Sequence, residues 1–188
     1  MHEELAEALS ERTLIAIERE GCDPGHDIGF VAGLAQDLVL LLCVSNEIHL
    51  NGFSVLRVGD ISGIEIPHEH DAFVESALRL REESVDVYPK IDLSSLEAAL
   101  RSANRLFPLL SLHQEIADPE DCLIGKVLTV GRTQLEFIEI DPDAEWSEES
   151  SSLPLAGLTR IDFGGGYEEA LLLVGGSCPA KHVLREVT

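Results

Sequence analysis

Long apolar runs, basic residues and paired cysteines are scarce in this chain of 188 residues, and each shortage excludes a class of protein. The longest apolar run, Leu38 to Val44, is far shorter than the roughly 20 residues that cross a membrane. The chain has 13 lysines and arginines but 35 acidic residues, and the resulting net charge of −22 disfavours contact with nucleic acid or membrane phosphates. The four cysteines show no CxxC spacing, so we expect buried, reduced thiols.

The acidic residues are spread over the whole chain, and no single tail carries the charge. A uniformly acidic surface attracts cations or basic proteins, although the same charge can also serve solubility alone. The first twelve residues, MHEELAEALSER, are acidic and amphipathic, unlike a signal or transit peptide. We therefore expect a cytoplasmic protein, and the 45% share of hydrophobic residues is enough for a sizeable core.

One pattern occurs twice, at a spacing that grows from 95 to 97 residues where loops are expected. Such self-similarity over some 80 residues indicates an internal duplication. We predict a first repeat at 1–80, a linker at 81–93, a second repeat at 94–176 and a C-terminal tail at 177–188. The matched positions include Glu20 with Glu115, Asp23 with Asp118, Pro24 with Pro119, Gly29 with Gly125, Val31 with Val127, Leu56 with Leu153, and Ile64 with Ile161.

Each repeat is predicted to contain a helix, five short strands and a closing helix. In the second repeat, Ser94-Ser95-Leu96-Glu97 forms a capping-box signature, and Pro108 ends the helix. Asn51-Gly52 has the composition of a hairpin turn. Gly29 and Gly125 are expected where a strand bends or another backbone approaches. The predicted strands are 13–18, 28–34, 38–44, 53–58 and 61–66 in the first repeat, and 108–114, 123–130, 134–140, 153–156 and 158–163 in the second.

The first repeat resembles the Sm-like family of small barrels. Residues 29–34 (GFVAGL) followed by 37–40 (DLVL) resemble the first Sm motif, and residues 57–64 (RVGDISGI) resemble a loosened second motif. The second repeat keeps only Gly125 and the hydrophobic pattern. The resemblance implies an α+β, mainly β protein with two five-stranded Sm-like or SH3-like barrels, each preceded by a helix.

RNA binding is also implied by this resemblance, but the residues depart from the family's pattern. Sm proteins read RNA with an aspartate and an asparagine in the first motif and an arginine-glycine pair in the second. Asp37 takes the place of the asparagine and would repel phosphate, and Val58 separates Arg57 from Gly59. The second repeat has no arginine at these places. We keep an Sm-like RNA-binding protein as one alternative function.

The sequence Pro67-His68-Glu69-His70-Asp71 is the candidate metal site. Two imidazoles and a carboxylate from His68, His70 and Asp71 suit zinc or nickel, and a metal-dependent enzyme is therefore a second alternative. The competing interpretation is a polar turn in which Asp71 caps the next helix. No other motif indicates a reaction, so we predict no enzyme and no cofactor. Gly164-Gly165-Gly166 is interpreted as a flexible turn, because no lysine or hydroxyl follows to complete a phosphate loop.

An acidic segment at 141–149 (DPDAEWSEE) differs most between the repeats, because it replaces the hairpin at 45–51, which contains a single carboxylate. It carries five carboxylates and the only tryptophan in the chain. Trp146 is expected to pack on its barrel, with an exposed anchor as the alternative. We predict a non-enzymatic interaction module that masks a basic partner protein, as immunity proteins mask toxins. The predicted partner-binding residues are Asp141, Asp143, Glu145, Trp146, Glu148 and Glu149.

Overall fold

In the described residues of the computed structural model, ten strands form a single antiparallel sheet, and four α-helices pack on it. The structure describes residues 1–67, 70–86, 88–118 and 122–179. The predicted α+β, mainly β class is confirmed. The first half contains α1 (His2–Glu11), β1 (Leu14–Arg19), β2 (Asp23–Leu34), β3 (Leu38–Val44), β4 (Leu50–Arg57), β5 (Gly63–Glu65) and α2 (Asp71–Leu80). The second half contains α3 (Leu96–Leu106), β6 (Leu110–His113), β7 (Cys122–Val130), β8 (Gln134–Glu139), β9 (Ser151–Pro154), β10 (Arg160–Phe163) and α4 (Gly166–Gly175).

The strands lie in the order β5-β1-β2-β3-β4-β10-β6-β7-β8-β9. In each half, the fifth strand therefore lies beside the first, and the remaining strands follow in chain order. Strand β10 pairs with β6 of its own half and with β4 of the first half, which joins the halves into one sheet. The two separate barrels predicted from the sequence are not confirmed, because the pairing describes one open sheet.

The two halves also agree in strand register around a tightly packed glycine. Gly29 pairs with Ile15 and Cys43, whereas Gly125 pairs with Leu110 and Glu139. A Cβ atom at Gly29 would lie 2.2 Å from the Leu42 carbonyl oxygen, and one at Gly125 would lie 2.0 Å from the Ile138 carbonyl oxygen. The predicted close backbone approach at both glycines is confirmed.

Neighbouring residues of a strand point to opposite faces of the sheet, and each half uses both faces. Helix α1 packs Leu5 and Ala8 against Ile15 on one face of the first half. Helix α2 packs Val74 and Leu78 on the other face. In the second half, α3 and α4 occupy the corresponding faces through Leu100, Ala103 and Leu171. The predicted start of α3 is confirmed, because Ser95 is the N-cap and its Oγ accepts a hydrogen bond of 3.1 Å from Ala98 N. The capping box is wrong, because the residue three positions after the N-cap is Ala98 and not Glu97.

The predicted hairpin turn at Asn51-Gly52 is wrong. The turn lies at residues 45–49, where Ser45 N donates to the His49 carbonyl oxygen at 2.9 Å, and both Asn51 and Gly52 belong to β4. Gly52 has a φ of +72°, and a Cβ atom there would lie 2.5 Å from Gly165 N and from the Phe163 carbonyl oxygen. Asn51 Oδ1 accepts a hydrogen bond of 2.9 Å from Gly166 N. These two residues therefore serve the contact between the halves.

The three consecutive glycines at 164–166 belong to the same contact. Gly164 has a φ of +71° and lies against the ring of Phe107, and Gly166 begins α4. The segment is thus an ordered junction between β10 and α4, and not simply a flexible turn. No helix in the described ranges is long and apolar enough to cross a membrane.

Replacing Gly125 with alanine should destabilise the protein, because its Cβ atom would overlap the backbone of β8. We expect a loss of about 1–3 kcal/mol in the free energy of unfolding, the range typical of overpacking. Urea denaturation of Gly125→Ala measures it. Gly59→Ala is the matched control, because no atom lies within 4 Å of a Cβ atom there. Equal stability of the two variants would contradict the close approach.

Candidate functional site

The acidic hairpin, residues 141–149, has a defined backbone and exposed charges. Asp141 Oδ1 accepts hydrogen bonds from Asp143 N at 3.0 Å and Glu145 N at 2.9 Å, which closes the turn. No hydrogen bond or ion pair with another described residue holds the remaining four carboxylates of the hairpin. Those four side chains are exposed: Asp143, Glu145, Glu148 and Glu149. The hairpin therefore presents four solvated negative charges on an ordered support.

Trp146 fixes the acidic hairpin to the body of the second half. It forms a β-bridge with Ile140, and its side chain packs beside Leu109, Ile140 and Leu171. The indole Nε1 donates a hydrogen bond of 3.3 Å to the Gly176 carbonyl oxygen, just after α4. Of the two interpretations of Trp146, packing against its own half is therefore the one that the structure shows. The next strand begins only at Ser151.

The candidate metal ligands are described only in part, because His68 lies outside the described residues. His70 is the residue before α2, and its side chain makes no capping hydrogen bond. Asp71 is the first residue of the helix, so the prediction that it caps α2 is wrong. Within the described ranges, no group of three His, Cys, Asp or Glu side chains has the arrangement of a metal site.

The most heavily buried charged residues lie where the two halves meet. Arg19, at the end of β1, is 1% exposed, and Glu115, just after β6, is 4% exposed. Their side chains form a bidentate pair, with Nη1 to Oε2 at 2.6 Å and Nη2 to Oε1 at 2.9 Å. Arg19 Nε also donates to Asp27 Oδ2 at 2.9 Å, and Thr159 Oγ1 donates to Glu115 Oε2 at 2.7 Å. This pair connects strand β1 to the second half.

A second set of contacts extends this pair along the junction of β4 and β10. Arg160 Nη1 donates to Asp27 Oδ1 at 2.7 Å, and Arg160 Nε donates to both carboxylate oxygens of Asp162 at 2.8 Å. His113 Nε2 lies 3.0 Å from Asp162 Oδ2, and Ser54 Oγ donates to Asp162 Oδ1 at 2.5 Å. Together, three basic and three acidic residues form the junction network: Arg19, Arg160, His113, Asp27, Glu115 and Asp162.

The protonation states make the junction network neutral. Burial alone lowers the pKa of His113, but its hydrogen bonds to Asp162 and Cys122 raise it to about 10. Burial raises the pKa of Asp162, but the Arg160 charge and the His113 hydrogen bond bring it well below its usual range. In the same way, Arg19 and Thr159 overcome burial and lower the pKa of Glu115. At neutral pH, three cations therefore face three carboxylates.

The junction network was not predicted from the sequence. Its strongest pair joins residues 96 positions apart, and nothing local to either residue indicates the other. A usable signal was nevertheless present, since the chain has few basic residues, Arg160 lies within the predicted strand 158–163, and Arg19 directly follows the predicted strand 13–18. An arginine in such a place requires a buried carboxylate partner.

Several clefts occur on the described surface. One of about 460 Å³ is lined by Phe30 and by side chains of α2 and residues 82–86, where Arg12 pairs with Asp86. Another, of about 150 Å³, lies beside Ser54, Asp162 and Cys43. Burial raises the pKa of the Cys43 thiol to about 12, so this thiol is neutral at physiological pH.

The cysteines correct one prediction made from the sequence. Cys22 is buried as expected, but Cys43 and Cys178 are half-buried and Cys122 is exposed. All four are free thiols. Cys122 Sγ lies 3.7 Å from His113 Nε2, at the rim of the junction network.

Comparison with known proteins adds no identification. No protein-family model matches this chain, and neither does any curated protein or solved structure.

Breaking the Arg19–Glu115 pair should be strongly destabilising, because a buried carboxylate would lose its cation. We expect Arg19→Met to cost about 3–5 kcal/mol in the free energy of unfolding by urea denaturation. Adding Glu115→Gln should recover part of that loss, since the unpaired charge is then removed. Arg12→Met is the matched control, and it should cost at most about 1 kcal/mol because the Arg12–Asp86 pair is exposed. Equal losses for Arg19→Met and Arg12→Met would contradict the role of the network.

The junction network should also make stability depend on pH above neutrality. The pKa of His113 is raised to about 10 in the folded protein, against about 6.5 for an unperturbed histidine. Its contribution is therefore complete below about pH 6.5 and is lost as the pH rises toward 10. We expect the free energy of unfolding of the wild type to fall between pH 6.5 and 8.5 more steeply than that of His113→Gln. Parallel profiles would show that His113 is not charged in the folded state.

Proposed function

We propose that this chain is a non-enzymatic, acidic protein-interaction module of the cytoplasm, which binds a basic protein and masks its charge. Immunity proteins that neutralise toxins act in this manner. The observation that carries the proposal is the acidic hairpin, whose four exposed carboxylates are held by no other described side chain. The net charge of −22 supports it, because such a field accelerates association with a basic protein.

The construction of the acidic hairpin suits recognition. Asp141 closes the turn through its own carboxylate, and Trp146 attaches the hairpin to α4 and the sheet. The charges are therefore presented without a large loss of backbone freedom on binding, which is a cost that flexible acidic tails incur. Because the junction network is internally neutral, the excess negative charge of the protein remains on the rest of its surface.

The proposed architecture is a duplicated Sm-like or SH3-like unit whose copies have merged through β4 and β10. Three observations support it: the helix-first order of elements in each half, the common strand order, and the corresponding registers at Gly29 and Gly125. This is a proposal about fold, and it carries no function by itself.

The two alternatives draw less support from the residues. Arg57, the arginine that the Sm resemblance assigns to RNA, donates to the Leu158 carbonyl oxygen at 2.8 Å and to the Leu155 carbonyl oxygen at 3.3 Å. It is thus occupied in the contact between the halves. The metal-dependent alternative depends on His68, which lies outside the described residues, and on His70 and Asp71, which belong to the start of α2.

Neutralising the acidic hairpin should weaken binding to the partner without unfolding the protein. The test variant replaces Asp143 with Asn and Glu145, Glu148 and Glu149 with Gln. It should associate more slowly, mainly at low salt, because the screening length falls from ~30 Å at 0.01 M to ~10 Å at 0.1 M. The measurement is capture of a basic protein from the host lysate, followed by association kinetics with that purified protein at both salt concentrations.

The matched control carries the same change of charge in the first half, through Gln at Glu3, Glu7, Glu11 and Glu75. All four are exposed on α1 and α2. The proposal requires the control to bind like the wild type and the hairpin variant to bind more slowly. Equal kinetics for all three proteins at both salt concentrations would show that the hairpin is not the binding element.

A further inference from the structure

Among the described residues, strand β9 is the last strand of the sheet and has a pairing neighbour, β8, on one side only. Three of its four residues, Ser151, Ser152 and Pro154, are exposed. The hydrogen bond from Leu155 N to the Thr133 carbonyl oxygen, at 2.9 Å, fixes which backbone groups face β8. Since successive residues of a strand alternate, the N–H and C=O of Ser152 and the C=O of Pro154 point away from the sheet. Strand β9 thus offers hydrogen-bonding groups to one further strand.

The first half shows how a strand pairs with the edge that corresponds to β9. Strand β4 holds the fourth place in the first half, as β9 does in the second, and β10 pairs with it in antiparallel register. There, Asp162 lies opposite Ser54, and Cys43 lies beside Ser54 at 3.1 Å between Sγ and Oγ. A residue of the seated strand therefore faces a serine of the fourth strand and a side chain of the third.

The registers identify the corresponding residues at the free edge. Phe137 pairs with Ser151 as Leu41 pairs with Ser54, so Ser151 corresponds to Ser54. Gly125 pairs with Glu139 as Gly29 pairs with Cys43, so Glu139 corresponds to Cys43. On a strand paired with β9, the residue opposite Ser151 would therefore lie near the Glu139 carboxylate. On β10, the corresponding residue, Asp162, lies near the Cys43 thiol.

The neighbourhood of this edge strengthens the preference for positive charge. Glu148 and Glu149 lie three and two residues before Ser151, the first residue of β9. Glu136, exposed on β8, lies opposite Ser152, on the other face of the sheet from Glu139. Arg132 is the nearby cation in sequence, and it lies in the β7–β8 turn, toward the Pro154 end of the strand. A lysine or arginine opposite Ser151 would therefore lie on the same face of the sheet as Glu139, and the acidic hairpin adds to the negative field at this end of β9.

A second copy of this chain fits the edge poorly. The strand of a second copy that corresponds to β10 is β5, which is the fifth strand of the first half. Strand β5 pairs with β1 in the same register in which β10 pairs with β6, so Glu65 corresponds to Asp162. Seated on β9, β5 would bring Glu65 against Glu139. Like charges at such positions are destabilising, so the β9 edge discriminates against pairing with β5 of a second copy.

From these registers and charges we infer that the β9 edge binds an extended, basic segment of a separate protein as an eleventh strand, with a lysine or arginine opposite Ser151. This inference rests on the proposed function and names the mode of contact. Backbone hydrogen bonds to Ser152 give affinity, and Glu139 gives the preference for a basic residue.

The test uses the full chain and a short blocked peptide of alternating valine and lysine, with binding followed by fluorescence anisotropy. Wild-type protein should bind this peptide, and Glu139→Gln should weaken binding about fivefold, which corresponds to loss of one favourable cross-strand charge pair. Glu75→Gln, an equal change of charge on α2, should leave binding unchanged. Hydrogen exchange at the Ser152 amide should slow on binding.

Two further reagents separate strand pairing from charge alone. A peptide of the same sequence, N-methylated along the edge that pairs, should bind at least about tenfold more weakly, because it lacks the backbone donors. Ser152→Pro should have a similar effect, since it removes an outward N–H and no hydrogen bond to β8. A peptide with glutamate in place of lysine should not bind.

The outcomes distinguish this inference from the proposed function. If the N-methylated peptide binds as tightly as the unmodified one, while the hairpin variant binds both more weakly, the edge inference fails and the proposed function stands. If lysine and glutamate peptides bind alike, both fail. Self-association of the wild type that Ser152→Pro abolishes would overturn the inference by showing that a second copy occupies the edge.

Discussion

The ion pair between Arg19 and Glu115 is the contact on which the arrangement of the two halves depends. Both side chains are almost completely removed from water, and such charges are tolerated only when each is paired and hydrogen-bonded. Arg19 belongs to β1 and Glu115 follows β6, so the pair holds the first strands of the two halves at one fixed offset. Asp27 and Arg160 extend that constraint to the β4–β10 junction, which makes ten strands one sheet.

The neutrality of the junction network separates two roles of charge in this protein. Inside the junction, cations and carboxylates are matched one to one, and His113 completes the balance because Asp162 keeps it protonated. On the surface, acidic residues greatly outnumber basic ones, and the acidic hairpin concentrates several of them at one place. The first arrangement specifies structure, and the second produces a long-range field that acts on other molecules.

Local patterns in the sequence predicted local structure well, and failed where a residue serves a distant contact. The helix start at Ser95, the strand at 38–44 and the close approach at Gly29 and Gly125 follow from capping, hydrophobic pattern and glycine chemistry. Asn51-Gly52 has the composition of a turn, yet its amide oxygen and missing Cβ serve a segment more than a hundred residues away. The hairpin carboxylates were located from composition alone, whereas the junction network required the fold.

Some of the differences between the halves fall on the residues that form the junction. Two units with the same strand order and identical edges could pair head to tail, and such a heterologous contact adds further copies unless the assembly closes into a ring. In this chain, Gly63 of β5 corresponds to Arg160, and Pro154 of β9 corresponds to Arg57. Glu139 corresponds to Cys43. The outer edges thus lack the cations that hold the inner junction, and Pro154 lacks a backbone donor. Pairing between halves is therefore confined to one site within the chain, and the β9 edge remains for a strand of opposite charge.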